Sequence, residues 1–173
     1  MSRKYIFETK RLGFSIWENG DFDYAFSLWS DENVTRLIGG PFDEKYVKAR
    51  LKLEDENYRR YKVQYFPVFL LGSGEFIGCA GLRPITRDDK TMFEAGIHLA
   101  PKAHGKGYGY EALKSVIEYA SSLGISTVYA GHHPDNRASM GLLIKVGFVH
   151  IGEEYYPPTG LFHPFYILET ESK

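Results

Sequence analysis

The segment from Pro101 to Leu123 constrains this chain more than any other. A strand ends at the proline, and a loop with glycine at alternate positions follows, His104-Gly105-Lys106-Gly107-Tyr108-Gly109. The clearest amphipathic helix then covers 109–123, with Leu113, Val116, Ile117, Ala120 and Leu123 on one face and Gly124 as its stop. This order brings several backbone N–H groups together at a helix N-terminus, where free amides and the helix dipole favour an anion such as pyrophosphate. Lys106 adds a point charge. A plain strand–helix turn does not need three glycines in five residues. A P-loop is excluded because no Lys-Ser/Thr closes the loop. Gly107-x-Gly109-x-x-Ala112 meets the permissive dinucleotide pattern, but the next strand ends in Ala130-Gly131-His132-His133, without the acid that would hold a ribose.

The rest of the chain supplies a sheet around that unit. Alternation of Leu12, Phe14 and Ile16 predicts a strand, and Phe22, Ala25, Phe26 and Trp29 mark a helix capped by Asp21. A short helix carrying Val34, Leu37 and Ile38 follows, and the charged stretch 43–62 reads as a mostly solvated surface helix. Strands are expected over 65–71 and 75–82, joined by Gly72-Ser73-Gly74, then over 91–100 and 126–133. Asp135 is expected to cap a helix with Ala138, Leu142, Leu143 and Val146 on one side, and a last strand pair follows at 148–155 and 161–168. Hairpins at both ends favour a mixed α+β sheet over a doubly wound parallel one.

At 173 residues the chain is expected to be one domain over 1–173. Its net charge of −1 argues against nucleic acid as the main partner. Its longest apolar runs, such as Val68-Phe69-Leu70-Leu71, are too short to cross a membrane, and Met1 to Thr9 holds no apolar stretch of the signal-peptide kind. The lone Cys79 excludes an intramolecular disulfide and a multi-cysteine zinc site, and it reads as buried and inert. A cytoplasmic location follows as the expectation. His98 and His163 lack partners at metal-ligand spacing, so no metal is expected.

Several short motifs occur in a shared order. Thr9-Lys10-Arg11-Leu12 has the form T-x-R-L, and Ile77-Gly78 is followed by Gly81-Leu82. His104 to Gly109 fits Q/R-x-x-G-x-G except at its first position, and Glu111-Ala112 opens the helix behind it. Asn136-x-x-Ser139 precedes Lys145-Val146-Gly147-Phe148. Together these resemble the GNAT acetyltransferase superfamily, in the branch of the Rim-type ribosomal-protein N-terminal acetyltransferases. The resemblance covers nearly the whole chain. It implies a single-domain, mostly antiparallel twisted sheet of about seven strands flanked by helices and splayed at its two central strands. It also implies transfer of an acetyl group from acetyl-CoA to a primary amine through a ternary complex, without a metal.

By that resemblance the coenzyme is held by Leu99, His104, Gly105, Lys106, Gly107, Tyr108, Gly109, Asn136, Ser139 and Lys145. Its pantetheine arm would lie between the strands ending near Leu99 and His133, with the Leu99 amide on the thioester carbonyl. Pro101 and Pro134, which cannot donate to a ladder, follow those strand ends. His104 replaces the usual Gln or Arg, which makes any side-chain contact to phosphate pH-dependent. Glu94, on the strand lining the cleft, is the candidate general base, and a solvated strand carboxylate is the plainer alternative. Leu143 occupies a position where many members carry the Tyr that protonates the leaving thiolate, so Ser139 becomes the nearest proton donor. The plainer alternative for Ser139 is a helix-start serine bonded to its own backbone. Glu111 reads as a first-turn carboxylate favoured by the helix dipole.

The acceptor expected is a protein or peptide N-terminal α-amine. At pH 7 about one α-amine in seven is neutral, against about one lysine amine in 2,500, so an N-terminus asks less of a base. A small-molecule amine (polyamine, amino acid or antibiotic) and a silent acyl-CoA-binding module are the alternatives, and there is room for a homodimer. Residues 1–76 hold sixteen of the 27 aromatic residues, 77–147 hold five and 148–173 hold six. The aromatic-poor middle coincides with the coenzyme segment. Several of Phe22, Phe26, Trp29, Phe42, Tyr155, Tyr156, Phe162 and Phe165 are therefore expected to wall an apolar acceptor pocket.

Overall fold

A computed structural model describes residues 3–170. The chain opens with strands Phe7–Glu8 (β1) and Leu12–Phe14 (β2), followed by helices Phe22–Trp29 (α1), Glu32–Thr35 (α2) and Glu44–Tyr61 (α3). Strands Tyr65–Leu70 (β3), Phe76–Arg87 (β4) and Lys90–Leu99 (β5) come next, then helix Tyr108–Ser122 (α4). Strand Thr127–Gly131 (β6), helix Arg137–Val146 (α5) and strands Val149–Tyr156 (β7) and Leu161–Glu169 (β8) complete it. The strands form one sheet in the order β1-β2-β3-β4-β5-β6-β8-β7, in which only the β5–β6 junction is parallel. The count is eight strands rather than about seven, because the two-residue β1 escapes any periodicity argument.

Two apolar layers hold the sheet. Leu12, Phe14, Phe66, Val68 and Leu82 pack with Leu113, Val116 and Ala120 of α4 and Leu143 of α5. Leu12 and Phe14 are fully buried, each contributing about 1.5–3 kcal/mol. On the opposite face Ala25, Leu28 and Trp29 of α1 and Val47 of α3 pack with Tyr65, Phe69 and Cys79.

Of three sequence expectations about the helices, two need correction. Helix α3 is mostly solvated, as expected, with one inward stripe: Val47, Glu54 and Asn57 are buried, and Arg50 beside them is only 14% exposed. Its inward stripe is polar because Arg50 and Glu54 satisfy each other at 2.6 Å. Helix α2 stops at Thr35, leaving Leu37 and Ile38 beyond it. The cap of α5 is Asn136 rather than Asp135, since Asn136 Oδ1 accepts the Ser139 N–H at 3.0 Å.

Strand β4 runs five residues past its expected end at Leu82, into a two-residue turn at Asp88 and Asp89, both with positive φ. Pro84 is tolerated inside it because β3 pairs with β4 only as far as Gly81, so no ladder bond needs its missing N–H.

Candidate active site

The central strands separate as expected. Strands β5 and β6 pair only at Phe93↔Val128 and Glu94↔Tyr129, and beyond these positions they diverge. The Ala100 N–H donates to Ile77 at 2.9 Å, which fixes the phase of the β4–β5 ladder. Antiparallel alternation then directs the backbone groups of Ile97 and Leu99 away from β4, toward the gap. A cavity of about 610 Å³ occupies this gap and continues to both faces of the sheet.

On the α4 side the cavity is lined by Leu99, His104, Gly105, Gly107, Tyr108 and Gly109, and by Asn136 and Ser139 from the start of α5. Gly105 and Gly107 have φ of +71° and +79°, a left-handed conformation that L side chains rarely adopt. Gly107 caps α4 without any side-chain hydrogen bond, so the first amides of the helix stay open. The His104 N–H is spent on Pro101, but the amides of Gly105, Lys106 and Gly107 have no backbone acceptor. The result is a concave row of donors at the positive end of a fifteen-residue helix, suited to a pyrophosphate. The His104 ring turns back to the Leu99 carbonyl, with Nε2 at 3.0 Å.

The opening motif holds this loop. Glu111 accepts hydrogen bonds from Thr9 Oγ1 at 2.6 Å, from the Arg11 N–H at 3.0 Å and from Arg11 Nε at 2.6 Å. Burial raises the Glu111 carboxyl, but these hydrogen bonds outweigh it and hold the group below its ordinary range. Arg11 also donates to the Lys106 carbonyl at 3.0 Å and lies over the Tyr108 ring. Glu111 is therefore an anchor as well as a first-turn carboxylate.

Strand β5 presents Glu94, Gly96 and His98 to the opposite, α1–α3 face. Glu94 Oε1 accepts from Arg83 Nη2 at 2.8 Å, and the Glu94 side chain is 16% exposed. The Arg83 Nε, by contrast, is buried without a hydrogen-bond partner. A Cβ on Gly96 would overlap the Tyr65 hydroxyl, so glycine is what admits that ring. His98 Nδ1 receives the Trp29 indole N–H at 3.1 Å, which puts its own proton on Nε2. Burial, with Arg50 and Arg83 nearby, lowers the His98 pKa to about 3 and keeps the ring neutral. The Arg50–Glu54 pair lies behind it, with Glu54 also accepting the Tyr65 N–H at 2.7 Å.

Of the sequence-expected site residues, Glu94, Leu99, His104, Gly105, Gly107, Tyr108, Gly109, Asn136 and Ser139 meet at this one cavity. Lys106 and Lys145 do not line it, and Lys145 Nζ instead sits 4.7 Å above the Tyr110 ring. Asn136 spends its carbonyl oxygen on the α5 cap. The Ser139 amide enters that cap, and among the described residues its hydroxyl makes no hydrogen bond. Leu143 is buried in the core at the cavity floor. Of the eight candidate wall aromatics, Trp29, Phe42, Tyr155, Tyr156 and Phe165 line the cavity, while Phe22, Phe26 and Phe162 do not. The wall is not simply apolar, because Arg36, Arg50 and Arg83 share it. Sequence reasoning missed all three arginines and His98. Among the described residues, no group of three His, Cys, Asp or Glu side chains could hold a metal ion.

Residues 11–149 match the family model described as an acetyltransferase (GNAT) domain. The probable N-acetyltransferase YjcK of Bacillus subtilis is 30% identical over 132 residues, covering 76% of this chain and 69% of that protein. An uncharacterized N-acetyltransferase, p20 of Bacillus licheniformis, is 27% identical over 143 residues, with 81% and 80% covered. Among solved structures, the ribosomal L7/L12 α-N-protein acetyltransferase RimL in complex with coenzyme A superposes with a TM-score of 0.82 at 14% identity, over 98% of this chain and 100% of that one. Spermidine N-acetyltransferase from Vibrio cholerae, in complex with CoA and spermine, gives 0.77 at 18% identity over 95% and 98%. These two likenesses speak to the fold.

Proposed function

The chain belongs to the GNAT acetyltransferase family, and from that premise we propose that it carries the acetyl group of acetyl-CoA to the α-amine of a protein or peptide N-terminus. It is an N-acetyltransferase of the GNAT kind, with acetyl-CoA as co-substrate. The observation that carries the choice of acceptor is the Arg83–Glu94 ion pair. Arg83 Nη2 fixes Glu94 Oε1 at 2.8 Å, which leaves Oε2 as the one oxygen to receive a proton. Such a carboxylate suits an amine that is already partly neutral, and an α-amine is neutral about 350 times more often than a lysine amine at pH 7.

In this reading the amides of Gly105 to Gly109 receive the coenzyme's pyrophosphate, and the pantetheine arm lies in the gap between β5 and β6. The Leu99 N–H donates to the thioester carbonyl and stabilises the oxyanion formed when the amine nitrogen attacks that carbon. Glu94 Oε2, which Arg83 leaves free, takes the amine proton through water. The C–S bond then breaks, and the Ser139 hydroxyl is the proton source nearest the departing thiolate. The lone buried Cys79, its thiol pushed up by burial, fits a cytoplasmic setting. Among the described residues no helix is long and apolar enough to cross a membrane.

Leu143, a side chain that cannot donate a proton, favours a second reading as a silent acyl-CoA-binding module. A thiol-release assay with acetyl-CoA and a panel of short peptides separates the two. The enzyme releases thiol only when an amine is present. Coenzyme binding without release across the panel would establish the silent module.

A further inference from the structure

We propose that the acceptor carries a carboxylate close to its primary amine, and that Arg36 and the Nε–H of Arg83 receive it. The inference rests on the acetyltransferase reading and adds the chemical class of its acceptor. It follows from the charges that line the cavity. Two carboxylates line it, Glu94 and Glu154, and each already has a guanidinium partner, Arg83 and Arg87 respectively. Arg36, the exposed residue that ends α2, lines the same cavity, and among the described residues no carboxylate pairs with it. Arg83 spends Nη2 on Glu94, while its Nε is buried with no partner. Buried donors are nearly always satisfied, so this N–H points to an acceptor atom supplied by a ligand.

A polyamine would bring several ammonium groups against a spare guanidinium, with no unpaired anion to meet them. A molecule with one amine and one carboxylate matches both sides. Its amine approaches Glu94, and its carboxylate bonds Arg36 and Arg83 Nε with charge assistance. His98, held neutral by burial and faced by Arg50, Arg83, Cys79 and the Trp29 indole, adds no negative charge. Two sources offer this chemistry: a peptide N-terminus with Asp or Glu at its second or third position, and a free amino acid.

The test measures kcat/KM with acetyl-CoA for three peptides that share an N-terminal Ser and carry Glu, Gln or Lys at the second and third positions. Free glutamate and spermidine complete the panel. The acidic peptide is expected to exceed the neutral one by about tenfold, as for hydrogen bonds to a charged group, with the basic peptide and spermidine lowest. Raising salt should narrow that ratio. In Arg36→Glu the order of acidic and basic peptides should reverse, with acetyl-CoA binding measured in parallel to register any loss of fold. The salt dependence of the unmodified protein keeps the test decisive if that variant does not fold. Free glutamate outrunning every peptide would keep the carboxylate and assign its source. Preference for spermidine or the basic peptide would overturn this inference alone, whereas no turnover of any amine with acetyl-CoA bound would overturn the acetyltransferase reading beneath it.

Discussion

At the residue scale, the proposed chemistry rests on the Arg83–Glu94 ion pair, and replacing one partner tests both. Glu94→Gln retains an oxygen for the Arg83 Nη2 hydrogen bond but cannot take a proton. We expect kcat/KM to fall by about 10²-fold below pH 8, with the deficit shrinking above it as the α-amine loses its own proton. A deficit that stays constant across the profile would remove Glu94 as the base. Glu94 was legible in the sequence from its place on a cleft strand, but its partner was not. The signal was present in Asp88-Asp89. A two-residue turn there sets every β4–β5 pairing and puts Arg83 opposite Glu94. Two aspartates are weaker hairpin residues than Asn-Gly, and Pro84 reads as a strand end, so the register stayed hidden.

At the element scale, the glycine loop and α4 were the most legible part of the chain, because helix period, glycine spacing and flanking proline all agree there. The link between the segment before β2 and α4 was not legible, since Thr9 and Arg11 lie 102 and 100 residues from Glu111 and no local pattern joins them. Arg11→Ala should raise the KM for acetyl-CoA several-fold while lowering kcat much less, because Arg11 steadies the loop through the Lys106 carbonyl and the Tyr108 ring. A fall in kcat alone would contradict this positioning role. Gly107→Ala places a side chain at φ +79° and should cost about 1–2 kcal/mol, read as a lower denaturation midpoint. In helix α3 the solvated face was legible but the buried charges were not, for a physical reason. Burial of Arg50 and Glu54 depends on their pairing, and a hydropathy pattern scores each charge as though it stood alone. Glu54→Ala would leave Arg50 buried and unpaired, and we expect a loss of about 3–5 kcal/mol in denaturant unfolding.

At the scale of the whole molecule, the proposed function divides the cavity into a backbone-lined half for the coenzyme and a side-chain-lined half for the acceptor. The uneven aromatic count pointed to Trp29, Phe42, Tyr155, Tyr156 and Phe165, which line the cavity, but not to the arginines among them. The division also shapes stability against pH. His98 has a folded pKa of about 3, well below its ordinary 6.5, so the unfolded chain binds more protons between those values. Stability is therefore expected to fall as pH drops through that window and to be insensitive to His98 above it. His98→Gln should flatten the acid side of a melting-temperature profile, and an unchanged slope would show that the ring is not held neutral.

Transfer to an α-amine, as opposed to a lysine amine, is read from where the acetyl group sits in the product. A peptide with a free N-terminus and an internal lysine is incubated with acetyl-CoA and the enzyme, and the product is mapped by fragment mass spectrometry. One acetyl group is expected, on the N-terminal nitrogen, formed in step with released thiol. Acetylation of the lysine instead, or an unmodified peptide with acetyl-CoA still bound, would contradict it.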